Sequence, residues 1–386
     1  MKVYLSSSTP LILGGYDCKL KREINGSTVI EPLRMQSIKG LLRWWFRAYV
    51  AGALYRVGFS SNDIERKVRE LSRKLLGSTE GASPFVINTD WDDVKTYDTS
   101  SLIIKKLRNH SVSRLICLRG GTDLTEYYGY VDEYFIELKE RIGASVTPLE
   151  RKIISMTFIT SLLLGCLGRA SRKGLGCFDI ITHKAKTVLE PYLWSYIHGL
   201  PKSISNLVAD TSKEFLRITP SYRGVQRNDL PPMPAIAPNV FDIYYCEFDG
   251  DPLDLVLAFD KALTRGGRTS FLKKDPLREK YLGWILGLPR SQRGKGYIVK
   301  GGIARRPSPF ILSVHNSFAF LSVFYSSDWP SEIEWRGMGG ATMRLSIRYG
   351  KVNEIPLKDV IGLACKTIIE VLEKQGFQFK RVSITW

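Results

Sequence analysis

The sequence predicts an α+β fold, and three observations carry that prediction. Period-two and period-3.6 segments alternate through the first half in the order β-α-(inserted helix)-β-β-α-β. The second half repeats the outline less cleanly. The 386 residues are 44% hydrophobic and 24% charged, enough apolar material for two ordinary domains and too much for a disordered chain.

Residues 2–13 read as a strand. Residues 37–57 read as a long helix beginning after Pro32, with Ser37 as its N-cap. Ile38, Leu42, Trp45 and Tyr49 fall on one side of that helix and form its core face. Residues 64–76 form a second amphipathic helix ending at Gly77. Strand-like runs follow at 85–87, 101–107, 115–118 and 134–138. Thr147-Pro148-Leu149-Glu150 opens the next helix, with Thr147 as cap, Pro148 in the first position and Glu150 three residues on. It stays apolar to about residue 167, passes into a Gly-rich loop at 168–176 and ends in a strand at 177–182. That order is the ferredoxin-like pattern.

In the second half, 241–248 is strand-like and 253–263 helical. Residues 311–314 and 319–325 alternate like paired strands, 357–374 is an amphipathic helix, and 377–386 is a closing strand. Leu75-Leu76-Gly77 followed by Ser83-Pro84-Phe85 is echoed by Ile285-Leu286-Gly287 followed by Ser308-Pro309-Phe310. Two such short matches fit a duplication or chance. Residues 191–238, richer in Pro and Ser, read as the connection plus an irregular segment.

Charge is the first pointer to function. Lys and Arg number 56 against 38 Asp and Glu, a net +18, which favours a polyanionic partner. The membrane alternative fails, because the longest apolar stretch, 153–167, is too short and is broken by Ser and Thr. The N-terminus lacks the apolar run of a signal peptide, so the expectation is a soluble cytoplasmic protein. Six cysteines without a C-x-x-C pair argue against a disulfide framework, and Cys166, Cys177 and Cys365 read as small buried hydrophobes. Four scattered histidines argue against structural zinc, and no cofactor is called for.

The basic residues collect in three acid-poor blocks. Arg34, Lys39, Arg43, Arg47 and Arg56 make the first; Arg151, Lys152, Arg169, Arg172 and Lys173 make the second. The third, residues 261–306, opposes only Asp275 and Glu279 to its many Lys and Arg side chains. Lys39, Arg43 and Arg47 follow at i, i+4 and i+8 and line one side of their helix. A solvated basic face would look similar, but surface helices usually interleave both signs. The loop Gly168-Arg169-Ala170-Ser171-Arg172-Lys173-Gly174-Leu175-Gly176 mixes glycines with three cations, a composition suited to backbone phosphate and also to a plain helix cap and turn. It is neither a P-loop nor a dinucleotide fingerprint, since it follows a helix and precedes a strand.

These segments together carry a resemblance. Pro-x-Arg-x-x-Ser-Ile-Lys-Gly-Leu-Leu-Arg-Trp-Trp-Phe-Arg-Ala at 32–48, Leu76-Gly77-Ser78 and the Gly-rich loop resemble the RAMP superfamily. Within it the chain looks most like the first-numbered Cmr-type subunits of type III-B CRISPR effector complexes. The likeness is strong over 1–182 and rests in the second half mainly on Leu286-Gly287-Leu288-Pro289 and Arg305-Arg306-Pro307-Ser308-Pro309. It implies two tandem ferredoxin-like βαββαβ domains facing one another across a basic cleft. Residues 1–188 would form the first, with the inserted helix 64–76, and 189–386 the second, with a basic insertion at about 264–306.

The resemblance further implies a non-catalytic subunit that grips guide RNA (crRNA) near its 3′ end, with target RNA and other Cmr-type subunits as partners. Arg34, Ser37, Lys39 and Arg43 match the first-helix motif. Arg169, Arg172, Lys173, Gly174 and Gly176 match the loop, with Lys173 where a second consecutive arginine is usual. Arg47, Arg305 and Arg306 complete the expected RNA-binding set. Two competing functions stand beside this one. An endoribonuclease would need His near a basic motif or clustered carboxylates, and Asp90-Trp91-Asp92-Asp93 is the only tight acidic group. A structural adaptor would turn the same charge toward other proteins.

Overall fold

In the computed structural model, the described residues are 1–11, 21–24, 27–30, 33–89, 96–98, 129–131, 133–186, 189–219, 229–264, 272, 274–288, 290–292, 294–300, 305–337, 340–348 and 350–386. The strands expected at 101–107 and 115–118, and the acidic group 90–93, lie outside them.

Val3 and Leu5 alternate inward along β1 (Lys2–Ser7), opposite Ile136 of one neighbour and Ile180 of the other. The chain then forms α1 (Met35–Arg56), α2 (Ser61–Leu76), β2 (Phe85–Thr89), β3 (Tyr134–Glu140), α3 (Pro148–Leu164) and β4 (Phe178–Ile180). The four strands make one antiparallel sheet in the order β2-β3-β1-β4. The second half supplies β5 (Phe241–Glu247), α4 (Pro252–Leu263), β6 (Phe310–Val314), β7 (Phe318–Phe324), α5 (Leu357–Glu373) and β8 (Lys380–Arg381). Its sheet runs β6-β7-β5-β8, the same order in the same antiparallel sense.

The apolar stretch of α3 now has its explanation. This helix packs against β4 of one sheet and against β6 and β7 of the other, so it is buried nearly all round. Thr147 and Glu150 form the expected capping box at its start, with the Glu150 amide donating to Thr147 Oγ1 over 3.2 Å. Trp45 and Tyr49 of α1 are fully buried beside it, and Tyr49 Oη lies 3.2 Å from Thr160 Oγ1.

The structure adds detail to four expectations. The connection begins with two helices, Pro191–Ile197 and Ile204–Ile218, the second packed on α1 and α3 with Phe215 stacked 5.2 Å from Tyr49, while 229–238 carries neither helix nor strand. The basic region expected as an insertion at about 264–306 contributes Arg290–Gln292 and Lys295–Val299 to a six-stranded antiparallel sheet with Glu332–Arg336, Thr342–Arg348, Lys351–Val352 and Ile355–Pro356. The closing strand is reduced to the two residues of β8, paired with Tyr244 and Tyr245. Cys166 and Cys177 are buried but not independent; they are joined as a disulfide with Cα atoms 4.4 Å apart. The Leu167 amide donates to the Gly176 carbonyl over 2.8 Å, which sets the two cysteines side by side.

Candidate nucleic-acid interface

The start of α1 lacks any carboxylate. Its N-cap is Arg34, in extended conformation and with no capping side chain, and the first turn has no acidic residue. Ser37, expected as the cap, lies one turn inside, its amide donating to the Arg34 carbonyl over 2.9 Å. Leu33 and Ile38 explain the earlier start: both are buried, at the two positions of a hydrophobic staple, and fix the entry of the chain apolarly. Arg34 and Ser37 are exposed there, beside the positive end of the helix dipole.

From this end the basic stripe runs along α1 toward α2. Desolvation holds the Lys39 ammonium below its ordinary value, and the nearby guanidinium groups of Arg43 and Arg141 push it further. Arg47 is shifted down in the same way, by desolvation and then by Arg43 and Arg69. The groups that shift these two cations are themselves cations. Arg69 and Arg141 were not anticipated from sequence: one lies in a helix of mixed charge, the other beyond the end of β3, and neither has a local signal.

Arg43 differs from its neighbours. Its Nη2 donates to the carbonyls of Leu76 and Gly77 at 2.7 and 2.9 Å, closing the C-terminal turn of α2. It lies beneath the stripe as a strut. Arg47 Nε donates to Ser72 Oγ over 3.4 Å, and Arg141 Nε to the Ser83 carbonyl over 3.1 Å; the rest of each guanidinium is left to the surface.

The Gly-rich loop does not meet this stripe. It lies against Trp44, about 100° round the helix from Arg43. The Arg172 guanidinium sits 4.9 Å from the Trp44 ring, and its Nη1 donates to the Ser308 carbonyl over 3.0 Å. Burial pushes Arg172 down to about 10, Arg306 adds to the shift and Asp328 opposes it. Lys173 Nζ reaches Asp260 Oδ1, and a bridge pairs Lys173 with Leu312 of β6.

A Cβ on Gly174 would stand 2.9 Å from Val314 Cγ2, and one on Gly176 would stand 2.0 Å from the Leu167 carbonyl oxygen; both have positive φ. The glycines expected to admit phosphate are thus enclosed by protein. Arg169 is half-buried in the same loop. Arg306 is buried, bound to Asp328 Oδ1 at 2.8 Å and Ser326 Oγ at 2.9 Å and lying over Trp329, whereas Arg305 beside it is exposed.

The same junction holds a buried histidine. His315 Nδ1 lies 2.8 Å from Asp179 Oδ1, and its Nε2 lies 2.9 Å from the Leu163 carbonyl at the end of α3. Arg172, Lys173 and His315 thus join the halves of the molecule, while Arg34, Ser37 and Arg47 are exposed along α1 and Lys39 is half-buried there. Among the described residues no three His, Cys, Asp or Glu side chains converge as metal ligands, and no helix is long and apolar enough to cross a membrane.

Comparison with known proteins adds to this geometry. Residues 4–179 match the model of the RAMP superfamily. The CRISPR system Cmr subunit Cmr1-1 of Pyrococcus furiosus is 26% identical over 204 residues, covering 51% of this chain and 53% of that protein. Cmr subunit Cmr1-2 of the same organism is 34% identical over 91 residues, covering 24% and 40%. The chain spans about half the length of the curated relatives it matches. A chain in the cryo-EM structure of the type III-B Cmr-beta complex bound to cognate target RNA superposes with a TM-score of 0.56 at 12% identity, over 95% of this chain and 99% of that one, which establishes a shared fold.

Proposed function

We propose, since the chain belongs to the RAMP superfamily through residues 4–179, that it is a non-catalytic subunit of a type III-B CRISPR RNA-targeting complex and binds guide RNA near its 3′ end. The observation that carries this reading is the surface around Lys39 and Arg47, where each cation is held below its ordinary value first by desolvation and then by further cations beside it. Such a surface is electrostatically unfinished until a polyanion neutralises it. Arg34, Ser37, Lys39 and Arg47 contact the phosphates, with Arg69 and Arg141 extending the track and Arg305 a separate contact on the second half. Arg43, Arg172, Lys173, Gly174, Gly176 and Arg306 hold the surface in shape.

The tandem ferredoxin-like arrangement belongs to the same reading. It is supported by the shared βαββαβ order and the shared strand order of the two four-stranded sheets. Other Cmr-type subunits and target RNA are the remaining partners, in the cytoplasm.

The test is a titration of labelled single-stranded RNA with the full chain across a range of salt, with and without Mg²⁺. Binding of intact RNA with log affinity falling by about 0.7 per neutralised phosphate per decade of salt is expected. Cleaved RNA would replace this reading with a nuclease. A flat salt response would replace it with an adaptor.

A further inference from the structure

A cavity of about 510 Å³ opens in the second half, around the first turns of α5. It shares no residue with the basic surface of α1. Its size lies within the range of small-molecule sites, roughly 300–1,000 Å³. Lys280, Lys358 and Lys366 line it, and among the described residues none of their three ammonium groups has a hydrogen bond or ion pair. By contrast, Lys74, Lys152 and Lys173 each have a carboxylate partner. Three unpaired ammonium groups around one cavity create a site for an anion.

Lys358, Gly362 and Lys366 stand at i, i+4 and i+8 on one side of α5. Gly362 leaves the space between the two lysines bare: no atom lies within 4 Å of where its Cβ would be. The opposite character comes from Leu282, Ile355 and Leu363, which line the same cavity with apolar surface, Ile355 being 36% exposed. Asp359 is the single carboxylate in the lining.

We propose that this cavity binds a nucleoside monophosphate unit, with its phosphate on Lys280, Lys358 and Lys366 and its base against Leu282, Ile355 and Leu363. Lysines present point charges suited to a phosphate that approaches from several directions. The apolar wall would be idle under inorganic phosphate and is matched by the face of a base. Asp359 accepts from ribose hydroxyls. The unit comes either as a free nucleotide or as the phosphorylated end of an RNA strand. The proposal does not depend on guide-RNA binding by α1.

Isothermal titration of the full chain with adenosine monophosphate tests it. Saturable one-to-one binding is expected, with adenosine and inorganic phosphate each weaker by roughly tenfold or more. The double variant Lys358→Ala/Lys366→Ala changes exposed side chains only, so it should keep the melting temperature and lose roughly tenfold or more in affinity. Gly362→Met fills the cavity, keeps both lysines and should abolish binding. A 5′-phosphorylated tetranucleotide that displaces the monophosphate identifies a strand end as the source, and one that does not identifies the free nucleotide. Absence of binding, or wild-type affinity in both variants, would overturn the proposal. Lys39→Ala/Arg47→Ala should leave monophosphate binding unchanged, which separates this site from the α1 surface.

Discussion

Lys173 Nζ lies 2.8 Å from Asp260 Oδ1, and the Asp260 side chain has no solvent exposure. The lysine comes from the Gly-rich loop of the first half and the aspartate from α4 of the second. A cation that composition alone would assign to RNA is therefore needed to neutralise a buried carboxylate 87 residues away.

Lys173→Met should destabilise the chain by roughly 3–5 kcal/mol, because it strands the Asp260 charge in the interior. Adding Asp260→Leu should restore much of the loss. Urea unfolding of the single and double variants measures both, and an unaffected single variant would show that Asp260 is neutralised elsewhere.

Arg43 and its neighbours on the stripe should separate cleanly. Lys39→Ala/Arg47→Ala should keep the melting temperature and weaken RNA binding, with the salt slope shallower by about 0.7 for each phosphate no longer neutralised. Arg43→Ala should cost about 1.5–3 kcal/mol of stability as well, since its guanidinium bonds the last carbonyls of α2. Thermal melts and salt-dependent titrations on the same samples distinguish the two outcomes.

Glu150 sets an acid limit on α3. Burial alone would raise its pKa, but hydrogen bonds from Lys74 and Thr147 outweigh that and hold it below the ordinary value. A lowered folded value means the stabilisation is complete above the unfolded pKa of about 4.3 and is lost as pH falls through the folded one. Glu150→Gln should therefore flatten the fall in stability below about pH 4.3. Thr147→Ala should cost about 1 kcal/mol at neutral pH. Denaturant midpoints at neutral and acid pH read both effects.

The cysteines make a chemical prediction. Burial pushes the Cys246 thiol up to about 11 and the Cys365 thiol up to about 12, so both stay protonated at pH 8. Neither should be alkylated by iodoacetamide until the chain is unfolded, and peptide mapping without reductant should recover Cys166 joined to Cys177. Rapid labelling of native Cys365 would contradict its burial.

What the sequence made legible was what depends on near neighbours. The capping box of Thr147 and Glu150 and the core face of Ile38, Leu42, Trp45 and Tyr49 all emerge from spacing within a turn or two. What the sequence did not show was where partners far along the chain would meet. Gly174 meets Val256, Leu312 and Val314, Arg172 meets Ser308, and Arg306 folds back on Asp328. Composition marked these residues as basic or small, but their contacts come from tertiary packing, between the halves for Arg172 and Gly174 and within the second half for Arg306. The start of α1 was misplaced for a related reason: Ser37 is a good cap by type, yet the burial of Leu33 sets the entry at Arg34.

The junction built by Arg172, Lys173 and His315 has a consequence for biosynthesis. Arg172 leaves the ribosome well before Ser308, its acceptor 136 residues later. At roughly 5–20 residues per second, the Gly-rich loop waits on the order of ten seconds for the strand that fixes it. Throughout that interval Arg172, Lys173 and Asp179 are charged and without their second-half partners. The nascent first half is therefore most open to capture by chaperones or by stray polyanions at the loop that the finished molecule half-buries.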